Sequence, residues 1–227
     1  MPQINREFQL HVYVTVDINR APNFEPEQFQ EAINQTNEFF SPIGISFKQC
    51  AFELVPDYNF DVLDNGSEFQ ELRTLYFDNH RINVYILDRI SESNVCGFAE
   101  LSGIAESAGT FVALEKKCPN VLTHELGHMF GLEHTFAGNR NELVDGSNCA
   151  TTGDRICDTP ADPYIIGAPI QWQSGCEFIY EGLDPNGQFY QPDVGNIMSY
   201  YDCQCGFTFE QYLKMANTYL EGAKKIW

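Results

Sequence analysis

The sequence predicts an α+β fold. An N-terminal mixed, twisted sheet carries helices, and an irregular, disulfide-tied lobe follows and ends in a helix. Three observations lead there. Strand-like and helix-like patterns alternate through the first half of the 227 residues. Beyond His134 the chain turns rich in Gly, Pro, Asp and Asn and holds Cys149, Cys157, Cys176 and Cys203. From Phe209 a helical pattern returns.

Each element has its own signal. Residues 8–16 (FQLHVYVTV) alternate apolar with polar and are β-branched, so they read as a strand. Residues 26–40 place Phe29, Ile33, Phe39 and Phe40 among glutamates, a helix with proline in its first turn. Residues 45–54 form a second strand. Residues 67–77 form a helix with Phe69, Leu72, Leu75 and Tyr76 as its buried stripe. Residues 82–87 (INVYIL) read as a strand buried on both faces, and residues 109–114 (GTFVAL) as another short strand. Pro119-Asn120 opens the next helix, with Asn120 as its cap, and that helix runs to Gly131. A last helix spans 209 to about 222. Internal repeats and low-complexity segments are absent.

Composition narrows the function classes. Hydrophobic residues make up 43% and aromatics 14%, which is globular, and the length supports a sizeable core. Thirty-two acids against 13 bases give a net charge of −19. Nucleic acids and anionic membranes need a basic footprint and are excluded as partners. The acidity suits cationic substrates and bound cations, and equally the solubility of a secreted protein. Eight cysteines without a CxxC pair favour disulfides in an oxidising compartment over a cysteine metal site. The N-terminus shows no signal-peptide pattern, and no apolar run reaches membrane-spanning length. An exported form would therefore be a mature chain without its targeting segment.

The chemistry concentrates in HELGHMFGLEH, residues 124–134, which holds three of the five histidines. His124 and His128 lie at i and i+4, one turn apart on one helix face, where two imidazoles can meet one ion. Glu125 is rotated about 100° from His124 and lies beside that ion without taking a ligand position. On a straight helix His134 would sit about 15 Å beyond His124. Gly131 resolves this, since glycine adopts the left-handed conformation that ends helices and turns the chain back. Three imidazoles with an open fourth position make a catalytic zinc site. The alternative is a helix with surface histidines and a C-capping glycine. A chance match of five fixed positions is on the order of one in 10⁵ per chain.

The run H-E-x-x-H-x-x-G-x-x-H is the metzincin signature, and Asn196-Ile197-Met198-Ser199-Tyr200 resembles the methionine turn of that clan. With GDRICDTPAD (153–162) and the downstream FTFEQYLKM, residues 124–215 resemble the pappalysin family, in particular its cytophagalysin- and ulilysin-like branch. The chain departs from the family in its short spacing after the methionine, where Cys203 and Cys205 compete for one family position. The resemblance implies a metzincin-like two-lobed catalytic domain, with residues 1–132 as an N-terminal subdomain and 133–227 as a C-terminal one. It implies a secreted zinc endopeptidase acting on protein or peptide substrates. Glu125 would be its general base, Met198 the floor under the metal and Tyr200 an oxyanion support. It further implies an extended substrate along an edge strand, for which residues 109–114 are the candidate. A preference for Arg or Lys after the scissile bond would be read by Asp202. Calcium would be held by Asp154, Asp158, Thr159 and local carbonyls. The expected disulfide is Cys149–Cys176, with Cys157 joined to Cys203 or Cys205, Cys96 joined to Cys118, and Cys50 free. His11 and His80 are expected to be structural. The other function classes are a silent zinc-containing binding module, which intact Glu125 disfavours, and a structural zinc site, which the missing fourth protein ligand disfavours.

Overall fold

The computed structural model describes residues 1–64, 66–91, 95–105, 110–138 and 140–222. The strands are β1 (Arg6–Thr15), β2 (Ile45–Val55), β3 (Val62–Leu63), β4 (Ile82–Leu87), β5 (Arg89–Ile90), β6 (Gly97–Ala99), β7 (Phe111–Glu115), β8 (Gln173–Ser174) and β9 (Glu177–Phe178). The α-helices are α1 (Pro26–Phe40), α2 (Ser67–Leu75), α3 (Leu122–Met129) and α4 (Phe209–Glu221). The chain divides into two compact units. One comprises Pro2–Gly131 and the chain from Ala216, and the other comprises Leu132–Met215.

The first unit is built on a five-stranded sheet ordered β2-β1-β4-β7-β6. Every pairing is parallel except the last, where β6 runs antiparallel to β7. The register of β1 on β2 shifts between Leu10 and His11, so Cys50 is the extra residue of a bulge. Apolar alternation sends side chains to both faces. Phe8 meets Phe47, Phe130 and Tyr219, and Phe40 of α1 joins the same group. Tyr13, Tyr85 and Phe111 pack with Phe69 and Leu72 of α2 in a separate buried cluster. All six residues of β4 are buried, the pattern of a central parallel strand covered on both faces.

The structure corrects three local expectations. Residues 111–115 form an interior strand paired on both sides, and the end position belongs to β6, so 109–114 is not an edge. Gly109 lies outside the described residues. Asn120 does not cap α3, because Pro119–Val121 forms a 3-10 turn and the helix starts at Leu122 with no side-chain cap. Leu75 is 61% exposed, because α2 ends there and only Phe69 and Leu72 reach the core.

The unit Leu132–Met215 has little regular structure beyond the β8–β9 hairpin and the first turns of α4. Polar side chains organise its loops. Asp184 accepts from the backbone N–H groups of Val144, Asn186 and Gln188, which gives irregular backbone the hydrogen-bond partners that a helix or sheet would otherwise supply. Disulfides join Cys149 to Cys157 and Cys176 to Cys203, while Cys96–Cys118 lies in the other unit and forms as expected. The expected Cys149–Cys176 bridge is therefore overturned. Cys149 and Cys157 close one short loop, and Cys176 sits at the tip of the hairpin whose Gln173 exchanges hydrogen bonds with Asp202, beside Cys203. Cys50 and Cys205 are free and exposed.

Candidate active site

Helix α3 presents His124 and His128 from successive turns, their rings 4.8 Å apart and nearly perpendicular. The helix stops where the sequence has glycine. Gly131 takes φ +96°, and its N–H donates to His128 O at 2.8 Å. A β-carbon at Gly131 would lie 2.6 Å from Thr218 Oγ1 and 3.1 Å from Ser102 Oγ, so both conformation and space demand glycine. Three residues on, His134 stacks on Phe136 at 4.6 Å and meets the ring of Tyr200 edge-on at 4.8 Å. Within this eleven-residue segment the three histidines offer one nitrogen each, all within 4.8 Å of one another, a group that could hold a metal ion.

Glu125 is 5% exposed, and its Oε2 is buried without a hydrogen-bond partner among the described residues. Burial pushes its carboxyl up to about 8. An isolated buried carboxylate is costly, and a water held at the histidines would relieve it. Three imidazole nitrogens within 4.8 Å of one another, with an orphaned carboxylate oxygen on the residue that follows His124, make a donor set that fits the zinc the sequence implies.

The methionine segment is a tight, satisfied turn. Met198 is fully buried, its N–H donates to Asn196 Oδ1 at 2.9 Å, and its carbonyl accepts from Thr135 N at 3.2 Å. Tyr200 is half-buried against His134, Phe136 and Tyr164.

Of the three residues expected at calcium, Asp154 and Thr159 meet and Asp158 turns away. Asp154 is fully buried and accepts Thr159 Oγ1 at 2.9 and 3.0 Å, while the same hydroxyl lies 2.7 Å from Ile156 O. Asp158 turns to the start of α4 and accepts from Glu210 N at 2.8 Å. Burial pushes the Asp154 carboxyl up to about 7. Glu142, 5% exposed, stands in the space that a side chain at Gly153 would need. Its burial and the charges of Asp154 and Asp162 push it up to about 8. Asp202 is exposed and tied to Gln173 at 3.1 and 3.3 Å.

Sequence reasoning missed Gly97, Glu142 and Asp162 as parts of these sites. Asp162 lay inside the quoted GDRICDTPAD motif and was detectable there. Gly97 and Glu142 carry no periodic or motif signal, because their roles arise from contacts distant in sequence.

The sequence profile of the Peptidase_M43 family, described as pregnancy-associated plasma protein-A, matches residues 70–220. An extracellular metalloprotease of Pyricularia oryzae is 26% identical over 93% of this chain and 74% of its own. One from Neurospora crassa is 35% identical over 80% of this chain and 62% of its own. Mature mirolysin of Tannerella forsythia, solved with a cleaved peptide, has the same fold. Its TM-score is 0.68 at 17% identity, covering 95% of this chain and 92% of that one.

Proposed function

The chain belongs to the Peptidase_M43 family of metalloendopeptidases, and on that premise we propose that it is a secreted zinc endopeptidase with Glu125 as general base. The observation that carries this reading is the three-histidine group together with the buried Oε2 of Glu125, the residue after His124, which has no hydrogen-bond partner among the described residues. His124, His128 and His134 would hold the ion. Zinc, when bound, supplies the Lewis acidity that acidifies a water and polarises the scissile carbonyl. Glu125 orients the attacking water, takes its proton at the carboxylate, and returns it to the leaving amine nitrogen. Tyr200, packed on His134, donates its phenol to the carbonyl oxygen as charge develops there. Met198 closes the apolar side of the site as a rigid, buried turn.

An extended protein or peptide substrate would add to the end strand β6 by backbone pairing. Asp202, exposed and positioned by Gln173, supports a preference for Arg or Lys after the scissile bond. Asp154, Thr159 and the Ile156 carbonyl form an oxygen cluster suited to calcium, and Glu142 adds a further carboxylate beside Asp154. Secretion is supported by three bridged cysteine pairs and by relatives named extracellular.

The test is mass spectrometry of a diverse peptide mixture incubated with the zinc-loaded chain, beside Glu125→Ala. Internal cuts absent from the variant are expected, with Arg or Lys following the cut, and Asp202→Ala should relax that preference. A folded, zinc-loaded chain that makes no cuts would favour the binding-module class over catalysis.

A further inference from the structure

We propose that Asp162 is a positioning residue for catalysis. Its single carboxylate fastens the segment bearing the third imidazole to the segment bearing Tyr200. This rests on the reading of the site as a peptidase.

The geometry is specific. Thr135 Oγ1 donates to Asp162 Oδ2 at 2.7 Å. Tyr201 OH donates to Oδ1 at 2.7 Å, and Tyr164 N donates to the same oxygen at 3.0 Å. Thr135 immediately follows His134, and Tyr201 immediately follows Tyr200. One carboxylate thus grips the chain one residue beyond each of two site residues. The two segments also touch directly, through Thr135 N to Met198 O at 3.2 Å and through the rings of His134 and Tyr200. Asp162, Thr135 and Tyr201 are 4, 4 and 2% exposed, so water does not substitute for these bonds.

The residue type follows from the donors. Three donors converge, and a carboxylate accepts at both oxygens. An amide at this position would aim its own N–H₂ at either Thr135 or Tyr201. An apolar residue would leave the buried Thr135 and Tyr201 hydroxyls unsatisfied, each a cost of about 1–3 kcal/mol, and the half-buried Tyr164 N–H without its acceptor. The unit around it is mostly loop, and loop backbone does not fix a ligand by regular hydrogen bonding. Groups behind a metal ligand orient it, and losing one typically costs about 10–100-fold in activity or metal affinity. Here the hold is taken on the neighbouring residues, which sets where the His134 and Tyr200 side chains start.

The test uses the full chain with each arm removed isosterically, Thr135→Val and Tyr201→Phe, then both together, with Asp162→Asn alongside. Four quantities are read: kcat and KM on a cleavable peptide, zinc retention against a chelator, the visible absorption bands of the cobalt(II)-substituted protein, and Tm. Each single variant is expected to lower kcat about tenfold with KM within about twofold, and to shift the cobalt bands. The double variant should lose less than the product of the singles, because both arms end on one carboxylate. Asp162→Glu should fail to restore the wild-type bands, because the longer arm misplaces both oxygens. Folded Thr135→Val and Tyr201→Phe proteins with lower Tm but wild-type kcat and cobalt bands would overturn the proposal. If the wild type cleaves nothing, the peptidase reading fails, and the cobalt bands still decide the role of Asp162: unshifted bands in both single variants overturn it.

Discussion

Gly97 and Glu125 share a space that admits no β-carbon. One built at Gly97 would lie 3.0 Å from both Cγ and Oε1 of Glu125 and 2.8 Å from the Ala113 carbonyl oxygen. Strand β6 is thereby held flush against Glu125, and the carbonyl on its other side belongs to the paired strand β7 and cannot yield. Gly97→Ala must therefore push either the strand or the Glu125 carboxylate. A displacement of about 1 Å costs on the order of 10²-fold for a group that acts in catalysis, the role proposed for Glu125, and the shift required here is smaller. The expected outcome is a kcat reduced about tenfold with the zinc content of the wild type. It is checked by steady-state kinetics beside metal analysis, and an unchanged kcat would show that the glycine serves only the backbone.

The alkaline limit of stability should trace to buried tyrosines. Burial, then the charges of Glu53 and Asp78, push the Tyr13 phenol up to about 12. A phenol that holds its proton more tightly when folded favours the folded state as long as it stays protonated. Stability is then full below the unfolded value of about 10 and falls as pH rises from there toward 12. Tyr85 is shifted the same way, chiefly by burial, so the wild type carries both contributions. In Tyr13→Phe the Tyr13 contribution is gone, and its Tm should fall less than that of the wild type between pH 10 and 12. Parallel slopes in thermal scans over that range would rule the assignment out.

How much of this was legible in the sequence depended on range. Helix α1 was predicted at residues 26–40 and forms at Pro26–Phe40, because proline at its first turn and the apolar spacing are local signals. The spacing of His124 and His128 and the turn at Gly131 were legible for the same reason. Residues 111–114 were recognised as strand but misread as an edge, since alternation along a strand does not reveal its neighbours. Cys96–Cys118 forms as expected, but the partners of Cys149, Cys157, Cys176 and Cys203 were misassigned, because bridging depends on where the loops lie, and the Gln173–Asp202 contact that brings the hairpin to Cys203 leaves no mark in the spacing. Gly97 escaped for that reason too: its constraint is a contact with a residue far along the chain.

Calcium should act through Asp154 and Thr159. The Thr159 hydroxyl lies within donating distance of both Asp154 carboxylate oxygens and of the Ile156 carbonyl, so an ion would find its oxygens in place. A ligand at a hundredfold its Kd stabilises by about 2.7 kcal/mol, worth a Tm rise of about 5 °C or more in a chain of this size. Thr159→Val should abolish that rise while Asp158→Asn leaves it, since Asp158 faces Glu210 N. Differential scanning fluorimetry with zinc retained tests both variants, and an identical calcium response in Thr159→Val would exclude the site.

The free thiols and the observed bridges give a sharp contrast between Cys203 and Cys205, which flank Gln204. Cys176–Cys203 spans 27 residues, and closing a loop of that length removes about 3–4 kcal/mol of unfolded-state entropy. Cys203→Ser should therefore lower stability by about that amount, whereas Cys205→Ser should change it by less than about 0.5 kcal/mol. Non-reducing peptide mapping with alkylation should find Cys205 labelled and Cys203 protected. The reverse labelling would exchange their roles.

The methionine turn should depend on a pair of buried amides. Asn196 Nδ2 donates to Gln211 Oε1 at 2.9 Å, and Gln211 Nε2 donates back to Asn196 Oδ1 at 3.0 Å, with both residues fully buried. Each oxygen has a second duty, Asn196 Oδ1 accepting from Met198 N and Gln211 Oε1 accepting from Thr208 N. Gln211→Leu strands the buried Asn196 amide donor, at about 1–3 kcal/mol, and removes the acceptor of the half-buried Thr208 N–H. Asn196→Asp is the finer test. Its Oδ1 keeps both donors, but its second oxygen faces Gln211 Oε1, acceptor against acceptor, unless it carries a proton. The buried aspartic acid would therefore bind its proton more tightly folded than unfolded, and the variant's stability should fall as pH rises above about 4. Urea unfolding should show the deficit of Asn196→Asp against the wild type shrinking from pH 7 to pH 4, while that of Gln211→Leu stays constant. A pH-independent deficit in Asn196→Asp would mean that the two amides do not face each other as the geometry requires.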